Sequence, residues 1–215
     1  MWMSSTRRDA KREKNDNYPT PVWVVDRLLD VWQPEPYERL AEPACGEGAI
    51  VTAISRRFAD HDLAWDLTDI RDIEHSDMAV FKYHHMDFFA RQPDESTRRV
   101  STVITNPPFS LAEKFLRHAR EVYAHARIIL LLRLNFLGSE ERVPFWAEVG
   151  MPDVFVLPNR PSFVKGRKDS CEYGWFVWPR ASASSQPVQS YGRLQMLAST
   201  PKSIRCPPRP KKGSS

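Results

Sequence analysis

Apolar residues along the chain recur in two periods. At 111, 115, 119 and 122 (Leu111, Phe115, Ala119, Val122) they follow helical spacing. This predicts a helix opening at Ser110, with Glu113 placed for a capping box. Over 127–134 the apolar run is nearly continuous, as in a strand buried on both faces. Shorter runs predict strands near 39–44, 63–68, 82–86, 100–105, 153–157 and 172–178. Helices are expected at 22–32, from the glycine turn after 44 to Phe58, and at 139–149 with Pro144 interrupting early. Thr20 is placed to cap the first helix and Pro21 fits its first turn; Pro34 stops it. Strands alternating with helices predict an α/β domain with a mostly parallel sheet.

Composition adds little to that picture. Hydrophobic residues are 41% and charged residues 27% of 215, ordinary for a globular protein. The longest apolar run, 128–132, is too short to cross a bilayer, so no membrane association is expected. Residues 1–17 have no apolar segment of a secretory kind. Cys45, Cys171 and Cys206 have no metal-ligand spacing, and reduced thiols in a cytoplasm are the simplest reading. No metal is expected: His84 and His85 are adjacent, and neighbouring strand residues face opposite sides, one in and one out.

Charge is unevenly spread. Residues 1–17 hold five basic and three acidic groups, and 181–215 hold six basic groups and no acid, so 18–180 is net negative. Both ends are poor in large apolar groups and read as disordered basic tails around one domain at 18–180. Such tails either solubilise the chain or raise its affinity for phosphate backbones.

Three segments fall at predicted strand ends, where open parallel sheets bind ligands. The first is Cys45-Gly46-Glu47-Gly48. Its glycines allow positive φ and close approach of a ligand. A dinucleotide fingerprint would need Gly or Ala where Val51 stands, and no phosphate-loop Gly-Lys-Ser/Thr exists. A ligand without a pyrophosphate fits better. The second is Asp69, about twenty residues on, placed to accept hydrogen bonds from ribose hydroxyls. Asp66 and Asp72 are alternatives for that role.

The third is Asn106-Pro107-Pro108-Phe109. Consecutive prolines fix φ and hold Asn106 extended, so the chain must leave the sheet as a stiff loop. Its amide, carbonyls and aromatic ring suit a conjugated amino group, whose lone pair is a poor nucleophile. Asn106 Oδ1 and the Pro107 carbonyl can each accept one N–H and turn the lone pair toward an electrophile, while Phe109 stacks on the base. Positioning then supplies most of the catalysis, and no general base is needed before transfer.

These segments resemble known motifs. Glu42-Pro43-Ala44-Cys45-Gly46-Glu47-Gly48 resembles the first motif of class I S-adenosylmethionine-dependent methyltransferases, whose acid and glycines contact the methionine moiety. Tyr18-Pro19-Thr20-Pro21 resembles the N-terminal cofactor motif of amino-methylating DNA enzymes. Asp87-Phe88 resembles the third-strand motif that meets the cofactor's adenine. Asn106 to Phe109 resembles the catalytic motif of N6-adenine DNA methyltransferases. The segments LLRLNFLGSEERVPFW, RPSF and DSCEYGWFVWP look like those of small phage- and prophage-type members. Only 57 residues separate Gly48 from Asn106, which leaves no room for an inserted recognition domain.

The resemblance implies a Rossmann-like fold with seven strands, helices on both faces and an antiparallel last strand. It implies S-adenosylmethionine as cofactor, DNA as partner and a monomer. It nominates Phe163 to flank a base flipped out of the duplex. Arg160, Lys165, Arg167 and Lys168 in the same loop could hold phosphates around the gap. RNA bases and a protein glutamine side chain remain open as substrates, because the motif sees only an sp² amino group. A non-catalytic nucleic-acid-binding module also remains open. Cytosine C5 chemistry is rejected, because no cysteine stands on the loop after the fourth predicted strand.

Overall fold

A computed structural model describes residues 19–72, 83–163, 170–180 and 192–205. The central strands are β1 (Arg39–Glu42), β4 (Thr102–Thr105) and β5 (Arg127–Arg133). On one side of β1 lie β2 (Ala64–Asp69) and β3 (Tyr83–His85); beyond β5 come β6 (Asp153–Val156), β7 (Tyr173–Trp178) and β8 (Leu194–Met196). The sheet order is β3-β2-β1-β4-β5-β7-β6-β8. Pairs among the first five strands are parallel, and β7 runs antiparallel to both β5 and β6.

Strand alternation splits the core in two. Leu40, Ile104, Ile129 and Leu131 face α1 (Val22–Leu29) and α2 (Ala49–Arg57), whose buried faces include Val24, Leu28, Ile50 and Ile54. Ala41, Val103, Ile128, Leu130 and Leu132 face α4 (Ala112–Val122), through Phe115, Leu116, Ala119 and Val122. Helices therefore cover both faces, as such a sheet requires. The Trp175 indole N–H donates to the Val24 carbonyl at 3.0 Å, tying β7 to α1. Two short helices, α3 (Glu95–Arg98) and α6 (Lys202–Arg205), and α5 (Val143–Val149) complete the set.

Several expectations need correction. Among the described residues the sheet has eight strands, not seven, because β8 pairs parallel to β6. That strand lies inside the segment read as a disordered tail. Within it, Leu197 and Thr200 are buried, and Arg193 donates from its backbone and guanidinium to Asp153. Leu194–Met196 is wholly exposed, so it carries no alternating pattern to read. Thr20 does not cap α1: the cap position is Pro21, without a side-chain bond. The helix after the prolines begins at Ala112, because Phe109–Leu111 forms a 3₁₀ turn first; Glu113 pairs with Arg142 and Arg117 instead of capping. His84 and His85 are both exposed, since β3 is an edge strand.

Candidate active site

Chain order reverses at β1, whose neighbours β2 and β4 run away from it on either side. The carboxyl ends of β1 and β4 therefore open a crevice between them. A cavity of about 320 Å³ fills it. Its lining includes Thr20, Glu42, Pro43, Cys45, Gly46, Asp69, Asp87, Phe88, Asn106 and Pro108. The segments singled out at strand ends thus share one cavity.

The glycine turn is shaped by backbone geometry. Gly46 and Gly48 have φ of 52° and 70°, left-handed values that disfavour side chains. Gly48 caps α2 in that conformation, and its N–H donates to the Cys45 carbonyl at 2.8 Å. The Gly46 N–H donates to Asp69 Oδ2 at 2.7 Å, which ties the turn to the end of β2. Asp69 also accepts from the Arg71 backbone and Nε at 2.9 Å each and from Nη2 at 3.2 Å. Of the three candidate aspartates, only Asp69 reaches the cavity. Asp66 pairs with Arg91, and Asp72 accepts from the Tyr83 hydroxyl.

Glu42 lies fully buried at the base of the cavity. Burial raises its pKa well above the ordinary value, the nearby Asp69 charge adds to this, and the Val51 N–H opposes it. Burial likewise pushes the Cys45 thiol up, with help from Glu42 and Asp69, so it is held protonated and is no nucleophile. Asp87 caps a 3₁₀ turn by accepting from the Phe89 N–H, and that turn presents Phe88 and Phe89 to the cavity.

Asn106 stands at the exit of β4, and its Nδ2 donates to Thr20 Oγ1 at 3.1 Å. With nitrogen directed at Thr20, the acceptor role falls to Oδ1. Phe109 does not line the cavity. Its ring lies 5.4 Å from Tyr173 and 6.2 Å from Phe163, with the Arg133 guanidinium 4.7 Å from its centre. Arg133 Nε also donates to the Tyr173 hydroxyl at 3.0 Å.

Pro107 and Gly48 flank the cavity without lining it, and Pro21 borders a separate small groove beside Ser162. Arg160 is engaged by Glu172, whose carboxyl it holds below the usual range. Tyr18, Lys165, Arg167, Lys168 and Cys206 lie outside the described residues. Among the described residues, no group of three or more acids, histidines or cysteines is placed to hold a metal.

Sequence reasoning missed Arg71, Phe89, Leu111, Lys114 and Phe115, which also line the cavity. Arg71 and Phe89 follow two residues behind Asp69 and Asp87. Leu111, Lys114 and Phe115 follow the prolines, so their nearness to the motifs was the available signal. Lys114 Nζ sits 4.0 Å from the Phe89 ring centre.

No family model and no curated protein matches the chain. Solved structures do. A provisionally assigned class I S-adenosylmethionine-dependent methyltransferase from Listeria monocytogenes superposes with a TM-score of 0.58 at 16% identity, over 82% of this chain and 64% of that one. The type I restriction-modification methyltransferase subunit of Streptococcus thermophilus gives 0.59 at 15%, over 80% and 47%. The 23S rRNA methyltransferase ErmE gives 0.52 at 12%, over 77% and 70%. The chain thus spans about half to two thirds of the length of the first two. At these identities the likeness is one of fold.

Proposed function

We propose, on this Rossmann-like class I methyltransferase fold, that the chain transfers a methyl group from S-adenosylmethionine to an exocyclic amino group, N6 of adenine in DNA. One observation carries the reading: Asn106, the glycine turn and Asp69 line the same cavity.

The cavity fits this cofactor. Even with Glu42 neutral, Glu47, Asp69 and Asp87 outnumber Arg71 and Lys114 in its lining. That balance suits a ligand whose sulfonium and ammonium outnumber its carboxylate. Glu42 and the glycine turn would hold the methionine end, Asp69 the ribose, and Asp87 with Phe88 the adenine. When bound, the cofactor supplies an electrophilic methyl group on sulfur.

The protein's share is orientation. Asn106 Oδ1 and the Pro107 carbonyl accept the two amino hydrogens and aim the nitrogen lone pair. Thr20 fixes the amide so that oxygen, not nitrogen, faces the amine. Phe109, next to the cavity-lining Pro108 and braced by Arg133 and Tyr173, would flank the flipped base. The surplus proton leaves after transfer, so no side chain has to remove it first.

Methyl-labelled cofactor incubated with DNA, RNA and ribosomal protein tests the substrate. The reading expects label in DNA, released as N6-methyladenine after digestion. Label confined to RNA or protein moves the same chemistry to another amine, and no label in any of them overturns it.

A further inference from the structure

An ionised carboxylate offers about four acceptor sites. At Asp69 all four are matched by donors: the Gly46 N–H, the Arg71 N–H, and the Nε and Nη2 of the Arg71 guanidinium. The two backbone donors are fixed by the glycine turn and the end of β2. The two guanidinium donors sit on a flexible side chain that lines the cavity and is a quarter exposed, while the Asp69 carboxylate is 5% exposed. A ribose can therefore reach this acid only by replacing the Arg71 fork. The fork resembles a ribose diol in one respect, since it presents two adjacent donors to one carboxylate.

We infer that the Arg71 side chain is an internal competitor for the cofactor's ribose, occupying the acceptor sites of Asp69 that the two hydroxyls need. This rests on the cofactor reading above. It keeps a buried carboxylate paired, and every hydroxyl bond gained on binding is offset by a guanidinium bond lost. Arg71 thus sets cofactor affinity downward and makes release easier.

Titration calorimetry with S-adenosylhomocysteine tests this on the full chain. Removing the competitor in Arg71→Ala should tighten binding by about tenfold, the scale of one charge-assisted hydrogen bond no longer sacrificed. Arg71→Gln, which keeps length but lacks the charged fork, should fall between the two and serves if the alanine variant folds poorly. The 2′,3′-dideoxy analogue has no hydroxyls to place, so it should gain nothing from either substitution. Binding to the unaltered protein with no gain, or with a loss, in both variants overturns the role of Arg71 and leaves the cofactor reading intact. Failure of the unaltered protein to bind S-adenosylhomocysteine overturns the cofactor reading and this inference together.

Discussion

Asn106 and Thr20 are 86 positions apart in sequence, yet the Asn106 amide nitrogen donates to the Thr20 hydroxyl at 3.1 Å. Thr20 is buried, and both residues line the cavity. The bond joins the segment before α1 to the exit of β4 and fixes which way the accepting oxygen of the amide points. Thr20→Val keeps the shape and removes the acceptor. The amide can then rotate, and a misplacement of this kind costs up to about a hundredfold in rate. Steady-state kinetics should show kcat down about ten- to a hundredfold with a smaller change in S-adenosylhomocysteine affinity. Unchanged kcat would show that the amide is held by other means.

Asp69 pins the glycine turn through Gly46 and is the cavity acid at the end of β2. In an Arg71→Ala background, where no guanidinium bond offsets the hydroxyl bonds, Asp69→Ala should weaken cofactor binding by roughly 1.5–3 kcal/mol, the range for hydrogen bonds to a charged group. Calorimetry checks this, and an unchanged dissociation constant would remove Asp69 from the cofactor site.

Glu42 predicts a pH dependence. Its folded-state pKa is raised above the ordinary 4.5, chiefly by burial. Protonation therefore favours the fold; this contribution is fully present below pH 4.5 and is lost as pH rises through the raised folded value. Glu42→Gln stays neutral throughout. It should match the unaltered protein near pH 4 and exceed its Tm increasingly as pH rises. Cofactor affinity should rise with pH in the unaltered protein, since a cationic ligand favours ionised Glu42, and that slope should vanish in the variant. Parallel melting curves across pH would contradict the assignment.

The ordered strand β8 changes how the basic C-terminal segment must be tested. Truncation after 180 removes Leu197, whose burial is worth roughly 1.5–3 kcal/mol, and exposes an edge of β6. Truncation after 205 keeps β8 and Leu197 while removing Arg209, Lys211 and Lys212. It should weaken DNA binding at low salt and flatten its salt dependence. Overlaying isotherms would make those residues inert.

Much of the site was legible because its parts sit at strand ends, where local sequence shows both the strand and the break. Gly46, Asp69 and Asn106 each stand at or just past the end of a predicted strand. What escaped was non-local or locally unremarkable. Nothing near Thr20 points to Asn106, and a cap is the local reading of a threonine before Pro21. Arg71 reads as a surface charge until Asp69 is seen beside it. The Arg133–Tyr173 brace joins β5 to β7 through antiparallel register, with no trace in either segment alone. Strand β8 is three exposed residues stabilised by a neighbour some forty positions away.

Nucleoside analysis of DNA methylated by the unaltered protein and by Asn106→Ala bears most directly on the chemistry. The expected result is N6-methyladenine from the unaltered protein and none from the variant, with S-adenosylhomocysteine binding retained in both. Equal methylation by the variant, or a methyl group found on a ring carbon of cytosine, would contradict the role given to the amide at 106.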